Sequence, residues 1–187
     1  MMNKPRKIAF ILLVLLQLGV LTFMISYQKH LLKTGTSILL ECEPIDPRSL
    51  FSGDYVILNY KIHNLSQCIK SKECASLKPE EISDFEKGDT IYLALQTKEK
   101  NPFAQVVSYS KNFKKLKLKY PIIIKSIVTS WRTYRVSIGA NHYYVPQFEG
   151  KKIEKEMKNV SAEVVISKNG KSALKKLFIN NKEVVFK

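Results

Sequence analysis

Residues 43–60 read Glu43-Pro44-Ile45-Asp46-Pro47-Arg48-Ser49-Leu50-Phe51-Ser52-Gly53-Asp54-Tyr55-Val56-Ile57-Leu58-Asn59-Tyr60. Pro44 and Pro47 each fix φ near −65° and push the residue before them toward extended geometry. Gly53-Asp54 then supplies a turn that tolerates positive φ. From there the chain alternates: Tyr55, Ile57 and Asn59 point one way, and Val56, Leu58 and Tyr60 the other, the period of a β-strand. A rigid corner therefore feeds a pleated strand, and the domain is expected to be mainly β. Such a corner can hold Asp46, Arg48, Asp54 and two tyrosines in fixed relation, which makes it the candidate site.

Upstream, residues 8–27 carry no charge and only Gln17, Thr22 and Ser26 as polar side chains. As an α-helix, twenty such residues span a hydrocarbon core of about 30 Å. A cleaved signal peptide would have an apolar run of only about 7–15 residues ending in a small-x-small site, which Met24-Ile25-Ser26-Tyr27 does not offer. The segment is expected to be a transmembrane anchor within residues 1–33, followed by one domain over residues 34–187. Lys4, Arg6 and Lys7 favour a cytoplasmic N-terminus, although Lys29, His30 and Lys33 lie on the far side. The short tail would cross with difficulty, so the expected orientation puts the C-terminal domain outside the cytoplasm, periplasmic or on the outer surface. Gln17 in mid-membrane can hydrogen-bond a neighbouring helix.

Around the corner, residues 37–41 read as a short strand, and Lys61 and Ile62 extend the strand that begins at Tyr55. Residues 64–84 are a polar excursion holding Cys68 and Cys74; Cys42 is the third cysteine. In an oxidising exterior a Cys68–Cys74 bridge would close a small loop, while pairing of Cys42 with either of them is the rival. Zinc sites want four ligands at close spacing, and His30, His63 and His142 stand singly, so no metal or cofactor is expected. Further strands are expected over 90–97, 104–109 and 119–131. Between the last two, residues 111–119 interleave lysines with apolar residues, a pattern that fits either a lysine-guarded edge strand or a patch for acidic headgroups; the edge strand is the favoured reading. Residues 136–145 form another strand block and 147–159 a helix of about three turns. The tail reads as a three-stranded meander, with turns at Asn169-Gly170, which suits type I′ geometry, and at Asn180-Asn181. About nine strands and one or two short helices imply a β-sandwich or partly closed barrel.

Two blocks carry a resemblance. Gly53, Asp54, Tyr55, Leu58 and Tyr60 spell G-D-Y-x-x-L-x-Y, preceded by Asp46-Pro47-Arg48 and Phe51. Tyr143-Tyr144-Val145-Pro146 with Glu149-Gly150 and Glu154 is similar to a second, tyrosine-rich block. Together they resemble the GDYXXLXY family of bacterial membrane-anchored proteins. That resemblance implies one membrane helix, a small extracytoplasmic domain, often a multi-pass membrane protein encoded beside it, and no established activity. The chain departs from the family's more common Gly-Ile-Glu by having Gly139-Ala140-Asn141.

The chain's net charge is +15, and residues 34–187 keep 26 basic against 16 acidic side chains. Such an excess speaks of surface potential and not of fold. Nucleic acid is not an expected partner, because the lysines are spread along the chain and the expected topology places the domain where nucleic acid is rare. There is no Gly-x-Ser-x-Gly nucleophile elbow. The sequence therefore reads as a non-catalytic binding or accessory subunit for a multi-pass membrane protein or envelope component. Its candidate surface comprises Asp46, Arg48, Phe51, Gly53, Asp54, Tyr55, Tyr60, Tyr143, Tyr144, Pro146 and Glu149. The alternative is a membrane-anchored envelope hydrolase using Asp46, Arg48, Asp54, Tyr143 and Tyr144.

Overall fold

The computed structural model describes residues 4–43, 55–66, 85–98, 101–130, 132–146 and 159–185. The chain divides into two compact units, residues 1–34 and 35–187. The first is helix α1 (Lys4–Thr34), whose stretch Lys7–Thr34 is long and apolar enough to cross a membrane. Its large apolar side chains from Ile8 to Ile25, Val14 excepted, are more than half exposed, as a helix meant for lipid and not for a protein core would leave them.

The second unit is a curled half-barrel sheet, mainly β as the alternation requires. Its strands are β1 (Thr36–Glu43), β2 (Tyr55–Ile57), β3 (Asn59–Tyr60), β4 (Thr90–Lys98), β5 (Asn101–Ser110), β6 (Ile122–Ser130), β7 (Arg135–Ile138), β8 (His142–Tyr144), β9 (Val160–Ile166), β10 (Ser172–Ile179) and β11 (Lys182–Glu183). The main sheet runs β11-β10-β9-β1-β5-β4-β6-β7, with β3 paired to β1, while β2 and β8 form a separate two-stranded sheet. Strand β1 lies in mid-sheet, antiparallel to β9 from Thr36↔Ile166 to Glu41↔Ser161 and parallel to β5 at Leu39↔Phe103. Its alternate residues Ile38, Leu40 and Cys42 enter the main core beside Ile91, Leu93, Leu95, Ile124, Val164 and Leu177.

The sheet curls far enough for the β9–β10 turn to reach β6, where the Lys125 amide donates to the Gly170 carbonyl at 2.7 Å. Gly170 sits at φ +80°, and a Cβ there would stand 3.2 Å from the Lys125 nitrogen and 3.3 Å from the Ile123 carbonyl oxygen. Glycine is required on both counts.

Three expectations change. The strand starting at Tyr55 does not run on through Ile62. It changes partner at Leu58, from β8 to β1, and ends in a 3₁₀ turn over Lys61–His63. Residues 111–119 are not an edge strand but contain helix α2 (Phe113–Lys117). Asn112 caps it, its side-chain oxygen accepting from the Lys115 amide at 3.2 Å. Phe113 and Leu116, three apart, share one helix face and pack on Ala94 and Ile123 on the outside of the sheet. At Asn169-Gly170 only the glycine has positive φ, so a three-residue loop, with Ser167 and Lys171 hydrogen-bonded across it, replaces a type I′ turn. Positive φ at both central residues, as type I′ needs, occurs instead at Asn180 (50°) and Asn181 (62°). The helix expected over 147–159 falls, up to residue 158, outside the described residues.

Candidate functional site

The two sequence blocks meet. In β2 and β8 the register is Tyr55↔Tyr144, Val56↔Tyr143 and Ile57↔His142, and the Leu58 amide continues the contact by donating to the Asn141 carbonyl at 2.8 Å. One step on, the fully buried Tyr60 donates its hydroxyl to the Ala140 carbonyl. Val56, Leu58 and Tyr60 all point into the core, so the alternate residues of one short segment clamp the second block from beneath.

Burial at this clamp shifts its titrating groups. Tyr60 is pushed well above the ordinary tyrosine range by burial first and by neighbouring Cys42, its cross-strand partner, second. Cys42 is a free, buried thiol pushed up to about 12 by burial and, to a lesser extent, by Glu41. Such a thiol is inert at neutral pH.

Behind Tyr60 lies a polar chain that sequence reasoning passed over. The Asn59 amide nitrogen donates to Glu43 Oε2 at 3.1 Å, which fixes the amide's orientation and turns Oδ1 toward His63 Nδ1 at 2.9 Å. His63 Nδ1 therefore carries a proton and donates it to Asn59 Oδ1. The ring meets Tyr60 edge to face, with centroids 5.2 Å apart. Its Nε2 is buried without a hydrogen-bond partner. Burial and then Arg135 lower the His63 pKa to about 4. The available signal was the Asn59-x-x-x-His63 spacing, which folds back across the 3₁₀ turn.

Of the candidate surface, Asp46, Arg48, Phe51, Gly53, Asp54 and Glu149 lie outside the described residues, as do Cys68 and Cys74. Tyr55 opens β2. Tyr143 is half-buried, its hydroxyl pKa raised by burial and then by Glu183. Tyr144 is 79% exposed, and Pro146 is exposed after it. Tyr60, being buried, holds the site together from inside. Beside the second block runs an open cleft of about 440 Å³, lined by Lys125, Ile127, Gly139, Asn141, Lys171 and Ser172 among others. Among the described residues no three His, Cys, Asp or Glu side chains converge as a metal site would need.

A family model described as GDYXXLXY protein matches residues 17–177, taking in the latter part of the apolar helix, both blocks and the sheet as far as β10. The chain belongs to the GDYXXLXY family. No curated protein and no solved structure matches it. The residues that name the GDYXXLXY family thus fall into two kinds here: Leu58 and Tyr60 are core, whereas Tyr55 is on the strand that pairs with the exposed Tyr144.

Proposed function

We propose that this GDYXXLXY protein is a membrane-anchored accessory subunit. Its C-terminal domain lies outside the cytoplasm and binds a multi-pass membrane protein or an envelope component through the face built by the two blocks. The observation that carries this reading is the β2–β8 pairing. It joins segments almost ninety residues apart into a two-stranded sheet and leaves Tyr144 79% exposed beside it. A large exposed aromatic on a rigid platform is what a protein contact uses, because a tyrosine offers broad contact area at a small entropic cost. The orientation rests on Lys4, Arg6 and Lys7 ahead of the apolar run. Gln17, mid-way along α1, supplies a polar handle for a neighbouring membrane helix.

The test is purification of tagged full-length protein from its own membranes in mild detergent, beside Tyr144→Ala and Gln17→Leu variants, with mass spectrometry of what accompanies each. One stoichiometric partner, lost from Tyr144→Ala while that variant keeps its folded stability, supports the reading. Recovery of the wild type alone and monomeric sinks it.

A further inference from the structure

We propose that the lysine-rich face around α2 is a second membrane contact, seated on the anionic headgroups of the bilayer that α1 enters, with Leu118 reaching below them. This inference rests on the anchor and is independent of any protein partner.

Helix α2 uses Phe113 and Leu116 to hold the sheet. What it turns outward is Lys114, Lys115 and Lys117, with Leu118 and Lys119 directly after it, all exposed. Leu118 is 89% exposed, more than any other large apolar side chain described in the protein, those of α1 included. A leucine so exposed gains nothing in water, and a collar of lysines around it is the arrangement that favours an interface of acidic headgroups over acyl chains.

The basic face also extends beyond the helix. Phe113 Cε2 lies 3.6 Å from the position a Gly170 Cβ would take, which puts the β9–β10 turn with exposed Lys168 and Lys171 against α2. The Lys125 amide is bonded to that same turn. Neither residues 111–125 nor residues 167–176 contain an acid. Lys111, at the helix entrance, pairs with Asp89 at 2.8 Å. Only Gly35 separates α1 from β1, so a bilayer that holds α1 tethers the domain, and tethering makes even a weak surface contact well populated. Lysines near an anionic surface add their attractions, and salt screens them.

The test uses the full chain, alone, in vesicles of phosphatidylcholine with and without about 30% phosphatidylglycerol, a content that gives a negative surface potential. Amide exchange across residues 112–120 should slow in the anionic vesicles only, and the slowing should vanish at about 0.5 M salt, where the Debye length is a few Å. Emission of a Leu118→Trp variant should be quenched by lipids brominated on the acyl chain under the same conditions. Both effects should be lost in a Lys114→Glu, Lys115→Glu, Lys117→Glu, Lys119→Glu variant whose unfolding in detergent matches wild type. Exchange over 112–120 that is equal in the two vesicle types, or protection that persists at high salt, would overturn the proposal. The exchange arm needs no substitution, so it decides the matter even where a variant fails to fold.

Discussion

The Tyr60 hydroxyl donates to the backbone carbonyl of Ala140, eighty residues further along the chain, with both residues buried. That bond ties the end of the first block to the start of the second, and it leaves the phenol with no proton to offer a ligand. Tyr60→Phe keeps the ring and removes the donor, leaving a buried carbonyl unsatisfied. We expect a loss of about 1–3 kcal/mol in stability, read by urea unfolding in detergent micelles. An unchanged midpoint would mean that the bond contributes nothing.

His63 gives the domain a pH dependence whose sign can be worked out. Its folded-state pKa, about 4, lies below the ordinary 6.5, because burial and Arg135 oppose the charged ring. The unfolded chain therefore binds the extra proton first, so the stability due to the neutral ring is present above pH 6.5 and is lost as pH falls toward 4. Two and a half pKa units correspond to about 3 kcal/mol at most. His63→Gln should flatten the stability profile across this window relative to wild type, while carboxylates elsewhere titrate equally in both. Parallel profiles would refute the assignment to His63.

Cys42, buried and pushed up to about 12, should stay unmodified when the native full-length protein is treated with iodoacetamide at neutral pH, and should react fully in denaturant. Peptide mass spectrometry reads both states. Under non-reducing conditions it also shows whether Cys68 and Cys74 are joined to each other, the pairing a permanently free Cys42 leaves for them. Rapid native alkylation of Cys42 would contradict its placement.

Gly170→Ala meets two obstacles together, positive φ and a Cβ 3.2 Å from the Lys125 nitrogen. The left-handed conformation alone costs about 1–2 kcal/mol for a residue with a side chain, and the close approach to β6 adds to it. Thermal unfolding of this variant should shift down by more than that of Gly88→Ala, where φ is +98° but nothing lies within 4 Å of the added carbon. Equal shifts would show that the turn does not press on β6.

Much of this fold can be read from short-range pattern. The uncharged run 8–27, the alternation in β1 and β4, and the Gly53-to-Tyr60 signature each report a period that one element imposes on its own residues. Partner choice cannot be read that way. Nothing local tells Leu58 to change from β8 to β1, since both pairings accept the same alternation. In residues 111–119 the lysines at Lys115, Lys117 and Lys119 mimic a period of two, and only the Asn112 cap and the Phe113–Leu116 interval give away a helix. His63 escaped notice for a related reason: its partners Asn59 and Glu43 come together only once β3 has docked on β1.

Strand β1 is the first part of the domain to leave the membrane helix, yet its long antiparallel partner β9 does not begin until Val160. During synthesis, then, an apolar strand with Ile38, Leu40 and Cys42 on one face waits with the edge that pairs β9 open until most of the chain has been made. Contacts of such long range make folding slow and leave the nascent chain open to aggregation and proteolysis. A premature stop anywhere ahead of Val160 should give a product that cellular proteases clear, so β9, β10 and β11, the last quarter of the described strand residues, act as the quality check on the rest.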